Sequence, residues 1–278
     1  MSVTPFKLPI IPHIKRQAYI SLYEKGLRAD GRSVHAPRNI TIKTGVLEKA
    51  EGSAQVSLGN TQVLVGVKVE LGQPFKDTPN QGVLVVHAEN VPLASPIFEP
   101  GPPDENAIEL ARVIDRSLRE VKAVDLESLV IRVGEKAWNL WVDVYVLDHD
   151  GNLFDASMLA TMAALVTTRI PDYEEMETGE IMVRKERVLK PLKINCKVVS
   201  VTLAKIGDFL IVDPTFEEEV IADYRIVISF DENLRIVGAQ KTGSGGMKRE
   251  ELREAIKIGK NVAQTYLKTL NQTLTQGM

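Results

Sequence analysis

The chain is poor in cysteine and has little excess charge. Cys196 is the single cysteine among 278 residues, so no intrachain disulfide can form. This suits a reducing compartment, and we expect a cytoplasmic protein. The formal net charge of −3 argues against a generic coat for nucleic acid. Any contact with RNA or DNA must therefore come from a local basic patch.

Long hydrophobic runs are also missing. The first residues, MSVTPFKLPIIPHIKRQ, lack the apolar core of a signal peptide. No uninterrupted apolar stretch in the sequence is close to the length that spans a membrane. We therefore expect no membrane partner. With 44% hydrophobic and 26% charged residues, the composition is that of a globular protein with a sizeable core.

Two similar blocks of strand and helix signals follow one another along the chain. In the first block, TQVLVGVKVEL is a predicted strand and the apolar segment 155–168 is a predicted core helix. In the second block, KVVSVTLAKIG and DYRIVISF are predicted strands, and a long helix is predicted over 247–270. Runs of strands followed by a helix, twice over, predict an α+β fold of two similar halves.

The segment between the blocks is polar and irregular in pattern, and Pro171 and Pro191 bracket it. An amphipathic helix is predicted earlier, over 13–25, and Gly26 can end it. The chain is therefore divided into a helical extension, a first half, a connecting segment and a second half: 1–27, 28–170, 171–194 and 195–270.

The segment DENAIELARVIDRSLRE, residues 104–120, predicts a helix with two distinct faces. With roughly 100° per residue, Arg112, Arg116 and Arg119 fall within about 40° of one another, opposite an apolar stripe. One interpretation is a solvated face with ion pairs, for which three have helical spacing: Glu109–Arg112, Asp115–Arg119 and Arg116–Glu120. The other is a phosphate-binding surface. Like charges one turn apart destabilise a helix unless an anion lies over them, and planar guanidinium groups bind phosphate in bidentate geometry.

Other polar clusters carry weaker signals. The four histidines, at positions 13, 35, 87 and 149, have no shared metal-binding spacing. The run Glu217-Glu218-Glu219 looks like a metal site, but consecutive side chains rarely converge on one ion. We therefore interpret it as a solvated turn, and we predict no metal site and no catalytic residue of the chain's own.

Five segments in order resemble the RNase PH family: LRADGRS, AEGSAQVSLGNTQVLVGVKVE, DTPNQG, FEPGPPDENAIELARVIDRSLRE and WVDVYVLDHDGN. Within that family they are most similar to the non-catalytic ring subunits of the archaeal exosome. The resemblance runs from residue 10 to 265. It implies an RNase PH-like fold of two βαβ-type halves with mixed sheets and packed helices.

The resemblance also implies partners. Such a subunit alternates with a catalytic RNase PH-like paralogue, and three of these pairs form a hexameric ring that degrades RNA from the 3′ end with inorganic phosphate. The implied partners are this paralogue, RNA-binding cap proteins and single-stranded RNA. The chain would need no cofactor of its own, whereas the partner's active site would use phosphate and Mg. Arg112, Arg116 and Arg119 are the implied RNA-binding residues.

Two departures from the family pattern bear on activity. Active members have Gly-Ser-Arg or Gly-Thr-Arg after the long strand, where the hydroxyl and guanidinium hold phosphate, and this chain has Gly151-Asn152-Leu153. A second motif supplies a carboxylate, and Arg225 stands at that position unless the alignment slips to Asp223. Asn152 and Leu153 thus mark a lost phosphate site and Arg225 a lost carboxylate. A non-catalytic subunit follows, and an independently active 3′→5′ phosphorolytic exoribonuclease is the alternative.

Overall fold

The computed structural model describes residues 13–177, 180–184 and 190–276. In the first part of the chain the elements are, in order, α1 His13–Tyr23, β1 Ile40–Thr44, β2 Gly52–Leu58, β3 Thr61–Gly72, β4 Val83–Asn90, α2 Glu105–Glu120, β5 Val130–Arg132, β6 Lys136–Asp148 and α3 Leu153–Thr167. They are followed by β7 Arg169–Ile170, β8 Asp172–Glu175, β9 Ile181–Arg184, β10 Lys190–Pro191, β11 Val198–Ile206, β12 Phe209–Val212, α4 Phe216–Ile221, β13 Tyr224–Asp231, β14 Ile236–Thr242 and α5 Arg249–Gln276.

The first sheet has the strand order β1-β2-β3-β6-β4, and β5 also pairs with β6. All its pairs are antiparallel except β4 with β6, so this sheet is mixed. Side chains along β3 point alternately to the two faces of the sheet. On one face lie the fully buried Val63, Val65 and Val67, whereas the residues between them are half-buried. One face of the sheet thus forms the core and the other stays partly exposed.

The second sheet has the order β12-β11-β13-β14 and is antiparallel throughout. Helix α3 lies between the two sheets and packs against β2 and β3 of the first and β11 of the second. All residues from Phe154 to Leu165 are buried, which explains why this helix is apolar on nearly every side. The predicted core helix is confirmed, and it starts two residues earlier than predicted.

The α+β fold with two strand-and-helix halves is confirmed. Although the sequence of the connecting segment is irregular in pattern, its described part forms short strands, with β7 paired to β10 and β8 to β9. Residues 178–179 and 185–189 of that segment, and residues 1–12 of the predicted extension 1–27, lie outside the described residues. The division into 1–27, 28–170, 171–194 and 195–270 stays a prediction. In the described part of the chain, no helix is both long and apolar enough to cross a membrane.

A buried ion pair joins the segment before β1 to the second half. Asp213 is fully buried and accepts hydrogen bonds from the backbone N–H of Arg38 at 2.7 Å and from its Nε and Nη2 at 2.9 and 2.8 Å. Arg38 also donates to the carbonyl of Asp150 at 2.8 Å. Burial would raise the pKa of Asp213, but hydrogen bonds and charge from Arg38 outweigh it and hold that pKa below its usual range.

A second buried pair lies beside the first. The guanidinium of Arg28 pairs with Glu218 and also donates to the carbonyls of Val212 and Asp213 at 2.7 and 2.9 Å. The hydroxyl of Tyr23 donates to the same carboxylate at 3.0 Å. Helix α1 is thereby attached to the second half through buried polar groups as well as through its tyrosines, which pack with Ile206 and Ile211.

We expect Arg38→Gln to lower the free energy of unfolding by about 3–5 kcal/mol, because it removes the main counter-charge of a buried carboxylate. Denaturation in urea measures this change. The matched control is Lys193→Gln, which breaks an exposed pair with Asp125 and should have a much smaller effect. Equal shifts in the two variants would mean that the buried pair of Arg38 and Asp213 contributes no more to stability than an exposed pair.

Candidate nucleic-acid interface and the neighbouring cleft

Helix α2 carries the three arginines that the sequence singled out. Asp104 caps its first turn by accepting a hydrogen bond from the N–H of Ala107 at 2.9 Å. The buried side is formed by apolar residues that include Leu110, Ile114 and Leu118. Ser117 lies on this side and donates to Ser229 of β13 at 2.9 Å. The helix is therefore held between the two halves, and its arginines lie away from the buried stripe.

Arg112 and Arg116 have exposed side chains with little holding them. Among the residues that the structure describes, the side chain of Arg112 has no hydrogen bond or ion pair. Arg116 donates one hydrogen bond of 3.3 Å to the amide oxygen of Gln240. The predicted pairs Glu109–Arg112 and Arg116–Glu120 do not form within the described part of the chain, and Glu109 instead accepts from Gln240 at 3.0 Å.

Arg119 differs from the other two. Its Nε lies 2.8 Å from both carboxylate oxygens of Asp115, so the predicted pair at this spacing forms. It also donates to the carbonyl of Leu84 on β4. The structure thus keeps the three arginines on one face but leaves only Arg112 and Arg116 with largely free guanidinium groups. RNA binding by all three stays a prediction.

A cleft of about 340 Å³ opens beside the start of α2. Apolar and aromatic residues line it together with nearly as many polar or charged ones: Asn90, Ile97, Phe98, Asn106, Glu109, Leu110, His149, Leu153, Phe154, Phe216, Glu219, Val220 and Arg225. Phe98 stacks on His149 at a centroid distance of 5.3 Å, and Phe216 meets the same ring edge-on at 5.1 Å. Burial among these rings lowers the pKa of His149 below its usual value.

The two predicted positions of a lost phosphate site lie at the start of α3. Asn152 is fully buried, has a left-handed backbone with φ 54°, and donates from Nδ2 to Asp155 and Asp213 at 2.8 and 2.6 Å. Leu153 contributes an apolar side chain to the cleft. Gly151 comes directly before them with φ +82°, and a Cβ there would lie 2.5 Å from the backbone nitrogen of Phe216. Only glycine allows α4 to approach this closely.

Arg225, predicted to replace a carboxylate, also lines the cleft, and its Nη1 lies 2.6 Å from Oε1 of Glu219. The alternative position, Asp223, pairs instead with Arg16 at 2.7 Å and accepts from the N–H of Gly207 at 2.9 Å. It is not among the residues that line the described cleft.

The solvated turn predicted for Glu217-Glu218-Glu219 is wrong. These residues form the short helix α4, which spreads the three carboxylates in different directions. Glu217 pairs with Lys15 at 2.5 Å, Glu218 is buried against Arg28, and Glu219 pairs with Arg225. The sequence did hold one local signal for this helix, since Thr215 and Glu218 form a capping box. Within the described ranges, no group of three or more His, Cys, Asp or Glu residues could hold a metal ion.

Family models and known relatives both match this chain over most of its length. Residues 36–171 match domain 1 of the 3′ exoribonuclease family RNase PH, and residues 196–262 match domain 2. Over 274 residues the chain is 61% identical to the exosome complex component Rrp42 of Aeropyrum pernix, with 99% of each chain covered.

Two solved structures are similar across most of the chain. One is the Archaeoglobus fulgidus exosome with RNA bound to the active site, to a chain of which this one is 45% identical with a TM-score of 0.83, covering 92% of this chain and 97% of that one. The other is an archaeal exosome core, with 41% identity and a TM-score of 0.80, covering 93% and 96%.

The fully buried carboxyl of Asp155 beside Asn152 predicts a specific pH dependence of stability. Burial outweighs its hydrogen bonds from Asn152 and Thr202 and raises its pKa to about 7. Between roughly pH 4 and 7 the folded state then holds a proton that the unfolded chain has released, so this group lowers the free energy of unfolding as pH rises.

We expect Asp155→Asn to remove this pH dependence, because asparagine does not titrate. The amide has the same size, so its oxygen can accept the hydrogen bonds on one side and its nitrogen can donate to the Thr202 hydroxyl on the other. Relative to the variant, the wild type should lose up to about 1.4 kcal/mol of stability per pH unit in this range. Urea denaturation at several pH values measures the difference, and parallel stability curves would contradict the raised pKa.

Proposed function

The chain belongs to the RNase PH family of 3′ exoribonucleases, and from this premise we propose that it is an RNA-binding, non-catalytic ring subunit of an archaeal exosome. High identity over nearly the full length of an archaeal Rrp42 supports the assignment to that complex. In the proposed ring the chain alternates with a catalytic RNase PH-like paralogue in three pairs. RNA-binding cap proteins are the further partners.

One observation carries the proposal: largely free cations lie on α2, whereas Arg225, the cation of the neighbouring cleft, is already paired. Arg112 and Arg116 expose guanidinium groups that can bind a phosphate backbone. In the described cleft, Arg225 is paired with Glu219 and Leu153 offers no charge. Phosphorolysis needs bound phosphate and a positioned acid or metal. Because neither Leu153 nor the paired Arg225 offers a free cation for phosphate, inorganic phosphate and Mg belong to the partner's active site in this proposal.

The exposed face of the first sheet supports association with another chain. Trp141 and Tyr145 on β6 are 38% and 36% exposed, although large aromatic side chains are usually buried. Aromatic residues are enriched where protein surfaces associate. Such a face suits a subunit of an assembly better than an isolated exonuclease.

The proposed division of roles predicts that the purified chain releases no nucleoside diphosphates from single-stranded RNA and inorganic phosphate. Mixed with its catalytic paralogue, it should form particles with the mass of three pairs that release them. Light scattering measures the mass and chromatography detects the nucleotides. Phosphorolysis by the chain alone would favour the independent exoribonuclease, and a monomer that ignores the paralogue would exclude the ring.

We expect Arg112→Ala with Arg116→Ala to weaken RNA binding by the assembled ring and to flatten its salt dependence. Loss of two phosphate contacts on a single strand should reduce the slope of log K against log salt by about 1.4. The effect should be similar for poly(A) and mixed sequences, because backbone contacts carry no sequence information. RNA binding measured at several salt concentrations tests this.

The matched control is Arg249→Ala with Arg253→Ala, which removes the same charge at the same spacing from the exposed side of α5. It should leave binding close to that of the wild type. Equal losses in both double variants would mean that only net charge matters. Unchanged binding in both would mean that the arginine face of α2 is a solvated surface.

A further inference from the structure

The start of α3 is closed by a carboxylate from another helix. The side chain of Asn152 is turned to Asp155 and Asp213 and makes no capping bond to the first turn of α3. Its backbone N–H instead donates to Oε1 of Glu219 at 3.0 Å. This contact joins residues 67 positions apart in the sequence, and the Glu219 side chain is only 10% exposed. The acceptor at this helix start is therefore a buried charge from α4.

The same carboxylate oxygen also has a cationic partner. Nη1 of Arg225 lies 2.6 Å from Oε1 of Glu219, and the guanidinium is itself 28% exposed. A guanidinium and a backbone N–H at the start of a helix are the groups that bind an oxygen of a phosphate ion. The cleft of about 340 Å³ adjoins both Glu219 and Arg225, so the surroundings leave room for an anion larger than a carboxylate.

We propose that Glu219 is an internal anion that occupies a phosphate position formed by Arg225 and the start of α3. In the wild-type chain the carboxylate satisfies both groups and its charge repels inorganic phosphate from the cleft. Glu109, which also lines the cleft, adds to this repulsion. Removing the carboxylate should leave Arg225 and the Asn152 N–H available, so that inorganic phosphate can bind there.

In this proposal Glu219 excludes phosphate from the cleft. Leu153 has a different effect, because its apolar side chain only fails to bind an anion. The proposal rests on contacts within this chain and not on the proposed function, because neither RNA nor a partner takes part. If the ring did not form or RNA did not bind, the proposed role of Glu219 would be unaffected. If the proposed role of Glu219 were wrong, the proposed function would be unaffected.

The test is titration of the full chain with inorganic phosphate, followed by calorimetry and by the NMR shift of the Asn152 amide. Glu219→Ala should bind phosphate at least about tenfold more tightly than the wild type, with the shift centred on Asn152. Adding Arg225→Ala to that variant should abolish the gain. Glu217→Ala is the matched control on the same helix, since its carboxylate pairs with Lys15 outside the cleft.

Three results would overturn the proposal: equal phosphate affinity in the wild type and Glu219→Ala, an equal gain in Glu217→Ala, or a gain that survives the loss of Arg225. Circular dichroism establishes whether Glu219→Ala folds. If it does not, Glu219→Ser provides the test, because its short polar side chain vacates the proposed phosphate position and removes the charge. Phosphate binding by Glu219→Ser no tighter than by the wild type would then overturn the proposal.

Discussion

The structure depends on one buried carboxylate, that of Asp213. It is fully buried and accepts hydrogen bonds from Arg38, from Asn152 and, at 3.0 Å, from Arg32. The donors come from the segment before β1 and from the start of α3, whereas Asp213 itself follows β12. Asp213 has a left-handed backbone with φ 50°, which costs energy for a residue with a side chain. The network offsets this cost and fixes how the two halves meet.

The positions of α3 and α4 follow from this link between Asp213 and Arg38. Because Arg38 also donates to the carbonyls of Asp150 and Gly151, the turn before α3 is held at a fixed distance from the second sheet. Helix α3 enters the core from that turn, and α4 packs directly against Gly151. The cleft between them is therefore a consequence of how the halves are joined, and its charges are set by residues distant in sequence.

The sequence predicted the features that depend on the spacing and composition of neighbouring residues. The two faces of α2 follow from the spacing of its residues, and the burial of α3 follows from its apolar composition; both predictions are confirmed. The errors concern contacts between distant residues. The expected pair Glu109–Arg112 does not form in the described part of the chain, and Glu109 bonds to Gln240, 131 positions away. Glu218 meets Arg28 across 190 positions, which no local pattern indicates. The capping box of Thr215 and Glu218 is a local signal for α4, but it does not indicate which residues that helix contacts.

The distribution of paired and unpaired charge connects the fold to the proposed role. In the cleft, the carboxylate of Glu219 meets the cation of Arg225, and deeper in the junction Asp213 meets Arg38. Buried charges need such partners, since an unpaired one would cost several kcal/mol. On α2, by contrast, water can solvate Arg112 and Arg116, so the fold does not require partners for them. Although the chain has a net charge of −3, it thus exposes two guanidinium groups one turn apart on one helix face. In the proposed role these groups bind a phosphate backbone from outside, whereas the pairing of Arg225 with Glu219 keeps the cation of the cleft from doing so.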